Sequence, residues 1–321
     1  MNIIHVYPAI RTGGGTTLLK NNLVNLFQKT TNEVWADGIE EDIKFYRVKP
    51  QITKHRKLKN FFKVFIKLLK KDKKNCLLHI HGRSGFLVFV AAKLQNYKII
   101  YQAHGYYNKL SKNNNFIQNL IDFFLLRFSD LVIFCSESEK DFIVKLYNLK
   151  NKNRVIQNNV NNIKKGYPRI KNTKKINFIY CLATSNIYQK GIDLQLKLVK
   201  ELLDLYSDFK IIHFFNNQNL QEKEIINKSI RELGLLNHYY LKPTIKNVWD
   251  YVDPIRGTII STSRFEGQPL AISEAFYNNI PVVATNCIGQ KDLLNDQNAF
   301  ILDIKNKKEW SNILLKAITS Q

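Results

Sequence analysis

The chain has 321 residues, 45% of them hydrophobic and 23% charged, a balance that excludes wholesale disorder and suits about two domains with their own cores. Its 49 Lys and Arg against 26 Asp and Glu leave a net charge of +23, which asks for an anionic partner: a phosphorylated substrate, an acidic membrane surface or nucleic acid. The excess sits mainly in the first half, since residues 1–170 hold 30 basic and 11 acidic side chains (+19) and residues 171–321 hold 19 and 15 (+4).

Taken in chain order, residues 2–7 read as a buried strand and not as a charged leader before an apolar stretch, so no export signal is expected. Strand patterns follow at 33–36, 76–80, 98–102, 130–135 and 154–157, with helical patterns near 15–29, 55–71, 84–95, 115–128 and 137–147. Such alternation predicts a parallel sheet covered by helices on both faces. No run approaches the roughly 18 apolar residues of a membrane span; the best candidate, 116–128, is broken by Gln118, Asn119, Asp122 and Arg127. Residues 161–175 are polar and basic, carry Gly166 and Pro168, and read as a linker.

The alternation then restarts, with strands at 176–182, 210–215, 239–242, 257–262, 281–285 and 299–302 and helices near 191–206, 220–234, 268–278 and 306–318. The expectation is an α/β chain of two doubly wound, Rossmann-like domains, 1–165 and 166–321, with a cleft between the carboxyl ends of their sheets. Cys76, Cys135, Cys181 and Cys287 are far apart and each borders an apolar run, which argues core residues in a reducing compartment and not a disulfide framework or a zinc site.

The strongest chemical signal follows the apolar run 257–261: Ser263-Arg264-Phe265-Glu266-Gly267-Gln268-Pro269-Leu270-Ala271-Ile272-Ser273-Glu274-Ala275. Gly267 suits a tight strand-to-helix turn and Pro269 a first helical turn. The amides and positive dipole end of such a helix attract a diphosphate, with Glu266 on the turn and Glu274 about two turns further. Gln189-Lys190-Gly191-Ile192-Asp193 opens an earlier helix, where a lysine can neutralise a departing diphosphate. Arg11-Thr12-Gly13-Gly14-Gly15 follows the first strand and lets backbone amides approach a phosphate or sugar. His104-Gly105 follows strand 98–102, and His79-Ile80-His81-Gly82 ends strand 76–80. His79 and His81 share one side of that strand and make a conceivable metal pair; with no third ligand apparent, packing or acceptor contacts are the preferred reading.

In these motifs the chain resembles the retaining glycosyltransferases of family 4, the "glycosyl transferases group 1", which have the GT-B fold. The resemblance rests on Glu266 and Glu274 with seven residues between them, on the following Asn279-Ile280-Pro281-Val282-Val283-Ala284-Thr285, on Lys190-Gly191-Ile192-Asp193, and on Ser129-Asp130-Leu131-Val132-Ile133-Phe134-Cys135-Ser136-Glu137 and Val155-Ile156-Gln157-Asn158-Asn159-Val160. It implies that Glu266 contacts the donor sugar, that Glu274 holds the ribose and that Lys190 neutralises the leaving diphosphate. It also implies that Gly14 and Gly15 face the donor and that His104 lies near the sugar. Gly267, Gln268, Pro269 and Leu270 would complete the donor site. The family usually has an arginine five residues before this lysine; Ser185 stands here, and Arg264 is the candidate substitute. Family members also usually continue past the equivalent of Gln321 with a helix returning to the first domain.

Residues 54–74 hold ten Lys and Arg and one Asp. Leu58, Phe61, Phe62, Phe65 and Leu69 recur at helical spacing while Lys59, Lys63, Lys67 and Lys70 follow another face, a basic amphipathic helix suited to an anionic leaflet. The expected activity is metal-free, cofactor-free transfer of a sugar from a nucleotide diphosphate, UDP by family habit, to a glycan or lipid-linked acceptor in bacterial surface polysaccharide or glycolipid synthesis. The expected place is the cytoplasm, peripheral on the inner face of the plasma membrane, and no nucleic-acid partner is expected. The rival readings are a sugar-nucleotide epimerase of the same fold, a basic nucleic-acid-binding protein and a catalytically dead binding module.

Overall fold

The computed structural model describes residues 2–8, 10, 19, 30–39, 51–105, 107–112, 115–150, 152–158, 176–183, 186–216, 219–245 and 247–320. The expected linker, the domain boundary at 165/166, the helix at 15–29 apart from Leu19, and Gly14, Gly15, Asn159, Val160 and Ser185 lie outside the described residues. Two compact units divide the chain, 1–159 and 160–321.

The first unit is a seven-stranded parallel sheet in the order β3-β2-β1-β4-β5-β6-β7. Its strands are β1 (Asn2–Tyr7), β2 (Thr31–Ala36), β3 (Gln51–Ile52), β4 (Cys76–His81), β5 (Lys98–Gln102), β6 (Leu131–Phe134) and β7 (Lys152–Val155). Central strands such as Asn-Ile-Ile-His-Val-Tyr are buried almost throughout, as a sheet covered on both faces requires. At the edges, β7 alternates exposed and half-buried residues and β3 is two exposed residues long. That edge strand carries no hydrophobic signal, so sequence patterning passes over it.

Local chemistry sets the helix ends. Asn115 Oδ1 accepts from the amides of Ile117 (2.9 Å) and Gln118 (3.3 Å) and starts the helix Phe116–Phe128. Ser136 caps Glu137–Tyr147, and the Glu139 carboxylate reaches back to the Cys135 amide at 2.7 Å, a capping-box arrangement. Asn148, left-handed at φ 47°, closes that helix. The helix expected over 55–71 begins at Phe61, after a short turn Leu58–Asn60, and ends at Leu69. The preceding chain is held elsewhere, because Asp37 Oδ1 accepts from the amides of His55 (2.5 Å) and Arg56 (3.3 Å).

The second unit is a six-stranded parallel sheet in the order β10-β9-β8-β11-β12-β13. Its strands are β8 (Asn177–Cys181), β9 (Phe209–Phe215), β10 (Tyr239–Pro243), β11 (Gly257–Ser261), β12 (Val282–Thr285) and β13 (Phe300–Leu302). One apolar layer joins Ile192, Val199 and Leu202 to Leu314 and Ile318; another joins Trp249, Ile272 and Ala275 to Ile259 and Val282. All four cysteines are free and buried, as core residues. In both sheets the chain reverses direction of travel beside the first strand, between β1 and β4 and between β8 and β11. Ligands of such sheets bind at the carboxyl ends of the strands flanking that point.

Candidate active site

In the second domain the two loops at the switch point carry the residues singled out from sequence. The segment after β8 enters a one-turn helix, Ile187–Lys190, and the segment after β11 runs through Thr262–Pro269 into the helix Leu270–Tyr277. The loops interlock through main-chain contacts that glycine alone permits. Gly191 (φ +62°) lies so close to Thr262 that a Cβ would stand 1.9 Å from its carbonyl oxygen. Gly289 (φ +81°) would bring one within 2.0 Å of the Glu266 carbonyl oxygen. The Glu266 amide donates to the Ile288 carbonyl at 2.9 Å and the Arg264 amide to Gln189 O at 2.8 Å.

Across this interlock Lys190 Nζ donates to Glu266 Oε1 at 2.6 Å, and Ser263 Oγ donates to the same oxygen at 2.7 Å. Glu266 is 7% exposed, and these two donors satisfy one oxygen of its carboxyl group in a poorly solvated place. Beneath it, Thr285 Oγ1 donates to Ser263 O (2.6 Å), and Gln290 Nε2 donates to Thr285 O (2.8 Å).

Glu274 is on the second turn of Leu270–Tyr277. Burial raises its carboxyl pKa, and the hydrogen bond from Trp249 Nε1 (3.1 Å) works against that rise. Pro269 is the N-cap of this helix and Leu270 its first residue, two positions after the expected start at 268. Gly267, Gln268 and Pro269 are buried beside Glu266.

Arg264 has a different setting from the one expected. Its guanidinium makes a fork on Asp193 (2.7 and 2.6 Å), donates to Tyr188 O (2.7 Å) and stacks over the Tyr188 ring. Held at once by both Asp193 oxygens, the Tyr188 carbonyl and the Tyr188 ring, Arg264 is a clamp between the two loops, and the geometry gives no support to its use as the second diphosphate cation. A cavity of about 820 Å³ in this domain, lined by Phe276, Pro281, Phe300 and Ile313, opens at the amino ends of β12 and β13, away from Glu266.

In the first domain, His104 follows β5 with φ +55°, an uncommon backbone state for a non-glycine residue. Its Nε2 is 2.9 Å from His81 Nδ1, its Nδ1 is 3.8 Å from Cys135 Sγ, and burial lowers its pKa to about 4. His79 and His81 do have a third imidazole beside them, His5 on β1. Motif spacing could not show this, because His5 arrives through strand pairing.

Of the four lysines expected on an outward basic face, Lys59, Lys63 and Lys70 are exposed. Lys67 turns inward, donating to Thr53 Oγ1 (2.7 Å) and lying 4.2 Å from the Trp35 ring centre. The apolar side of Phe61–Leu69 is wider than the sheet needs: Val64 and Leu68 are buried, while Phe62, Ile66 and Leu69 are exposed. The helix Phe116–Phe128 likewise exposes Phe116, Ile117, Leu120 and Phe128. The helix Phe86–Leu94 packs against both. Among the described residues no helix is long and apolar enough to cross a membrane.

Two Rossmann-like parallel-sheet domains, the second with a paired lysine and glutamate at its switch point, define the chain as a GT-B glycosyltransferase. The "Glycosyltransferase Family 4" model matches residues 30–162 and the "Glycosyl transferases group 1" model residues 164–321; the chain belongs to this family. An uncharacterized glycosyltransferase of Haemophilus influenzae is 24% identical over 94% of this chain and 85% of its own length. Another, of Methanocaldococcus jannaschii, is 26% identical over 53% of this chain, and the match spans only 43% of that relative. Among solved structures, a sucrose-phosphate synthase of Thermosynechococcus elongatus superposes with a TM-score of 0.79 at 12% identity, over 99% of this chain and 89% of that one. HepE of Anabaena, in complex with UDP-glucose, gives 0.74 at 16% identity, over 100% and 90%. The family assignment lends no support to the epimerase or nucleic-acid readings.

Patterning missed Trp249, Ser263 as a donor to Glu266, and His5. Asp193 stands in the quoted Lys-Gly-x-Asp motif, but its partner Arg264 is 71 residues away in sequence.

Proposed function

We propose that this glycosyltransferase moves a sugar from a UDP-sugar to a glycan or lipid-linked acceptor with retention of configuration and without a catalytic metal, in surface polysaccharide or glycolipid assembly at the cytoplasmic leaflet. The observation that carries it is the Lys190–Glu266 pair at the switch point of the second sheet. When a donor binds, Lys190 transfers its attention from Glu266 to the departing diphosphate, with the amides that open the helix at Leu270 sharing that charge. Glu266, freed of one donor, accepts from the sugar hydroxyls, and Glu274, oriented by Trp249, accepts from the ribose. The leaving phosphate oxygen takes the proton of the acceptor hydroxyl on the face it departs from, so no protein nucleophile is needed. By the family resemblance, Gly14 and Gly15 are assigned to the donor and His104 to the acceptor or the sugar.

The UDP assignment draws on HepE, solved with UDP-glucose, and on TarM of S. aureus, solved with UDP. For the membrane, Lys59, Lys63 and Lys70 supply about 1 kcal/mol each at an anionic surface, and the exposed apolar side chains beside them enter the interface.

A thermal-shift panel of UDP, GDP, ADP and CMP without added metal tests the donor site, since a ligand of the folded state raises the melting temperature. A rise with UDP that disappears in Glu274→Ala is expected. No rise with any nucleotide overturns the donor reading, and a selective rise with GDP or ADP replaces the base.

A further inference from the structure

Three imidazoles meet on one face of the first sheet. His5 on β1 is the register partner of His79 on β4, and His81 is two residues further along β4, on the same face. One ring nitrogen from each lies within 4.8 Å of the other two, and the residues are 0%, 2% and 2% exposed.

The hydrogen bonds around them direct the lone pairs. Asn32 Nδ2 donates to Thr30 O at 3.0 Å, so Asn32 Oδ1, 3.3 Å from His5 Nε2, faces that ring as an acceptor. His5 therefore carries its proton on Nε2 and a lone pair on Nδ1. That Nδ1 is 3.4 Å from His81 Nε2, while the outer nitrogen of His81 is 2.9 Å from His104 Nε2. Neighbouring nitrogens around a tetrahedral zinc ion, each about 2.0–2.1 Å from it, stand about 3.3 Å apart. Metal-binding histidines donate their outer ring N–H to an acceptor that fixes the ring's orientation; here Asn32 Oδ1 and His104 Nε2 stand in those places.

We propose that His5, His79 and His81 bind one first-row transition-metal ion, zinc by the preference of imidazole, which ties β1 to β4 at the switch point of the first sheet. Asn32 and His104 hold His5 and His81 from outside. The ion joins two strands of the first sheet and takes no part in the Lys190–Glu266 donor contacts of the second domain; His104 is the one residue this inference shares with the proposed reaction, and metal uptake is read without turnover.

The same distances permit a metal-free arrangement, a relay of hydrogen bonds from the Cys135 thiol through His104, His81 and His5 to Asn32. His79 lies off that relay, which separates the two. Full-length protein is dialysed against a chelator and titrated with cobalt(II), following the visible absorption of the bound ion. The expected result is saturation at one equivalent per chain, reversal by zinc(II), and a melting temperature that rises with zinc(II). His79→Gln, its fold checked by circular dichroism, is expected to lose the absorption and the rise, and His104→Gln to weaken affinity about 10- to 100-fold. Wild-type protein that neither takes up cobalt(II) nor melts higher with zinc(II) overturns the proposal in favour of the relay, whatever the variants do. Full binding by a folded His79→Gln overturns the ligand set.

Discussion

Glu266 and Glu274 stand on one loop-helix unit and differ in what surrounds them. Glu266 has Lys190 and Ser263 as donors on one oxygen; Glu274 has Trp249 and a desolvated setting. Glu266→Gln retains the shape and removes the charge, and is expected to lower kcat by about 10²- to 10³-fold with little change in melting temperature; steady-state kinetics beside a thermal melt checks this. Glu274 has the opposite profile. Its folded pKa lies above the unfolded carboxylate value, so the native state holds the proton more tightly and stability falls as pH rises through that interval. Glu274→Gln keeps an oxygen for Trp249 and removes the cost of a buried charge. It is expected to melt higher than wild type at neutral pH, with the gap closing as pH falls into the acid range, while nucleotide binding is lost. Melts over a pH series read the sign directly.

At the scale of elements, the helices Phe61–Leu69 and Phe116–Phe128 each bury a narrow stripe and leave large side chains in solvent, Phe62 at 74% and Phe116 at 78% exposure. A helix that only covers a sheet has no use for those residues. Arg83 holds the second helix to the domain through Gln118 (2.8 Å) and Asp122 (3.5 Å), so its outward face is presented on a fixed support. Phe62→Ser with Ile66→Ser, or Phe116→Ser with Ile117→Ser, is expected to cut sedimentation with anionic vesicles at least about tenfold, on the basis of roughly 1.5–3 kcal/mol per buried apolar side chain. Catalysis on a water-soluble acceptor should be unchanged. Lys67→Ala should weaken folding and not vesicle binding, because Lys67 packs under the helix against Trp35 and Thr53.

For the molecule as a whole, six of the seven histidines, His5, His55, His79, His81, His104 and His213, have pKa values lowered by burial, to about 4 for His5, His104 and His213. Once unfolded they take up protons near pH 6.5. The unfolded state thus binds more protons, and stability is lost as pH falls from about 6.5 towards 4. Glu139, raised to about 7 by burial, and Glu274 act in the other sense, but two groups do not offset six. Urea midpoints at pH 7.5 and pH 5 are expected to show a clear loss on acidification; an equal or higher midpoint at pH 5 contradicts this.

Much of this protein was legible as sequence because the signals are local. A strand buried on both faces is a continuous apolar run whatever it pairs with, so strand order along the chain, the two-domain α/β class and the Glu266–Glu274 unit could be read directly. Helix ends written in Asn115, Ser136 and Asn148 are local as well. Tertiary structure alone decided the pairings made at a distance. Lys190 meets Glu266 because β8 and β11 are neighbours across a crossover, Arg264 is claimed by Asp193 on the loop beside it, and Trp249 reaches Glu274 from a short turn with no motif of its own. His5 joins His79 because parallel pairing puts residues 74 apart in the same register. Which neighbour a side chain acquires depends on the order of strands in the sheet, and that order is set by how helices and strands bury their apolar faces together, not by any spacing within the chain.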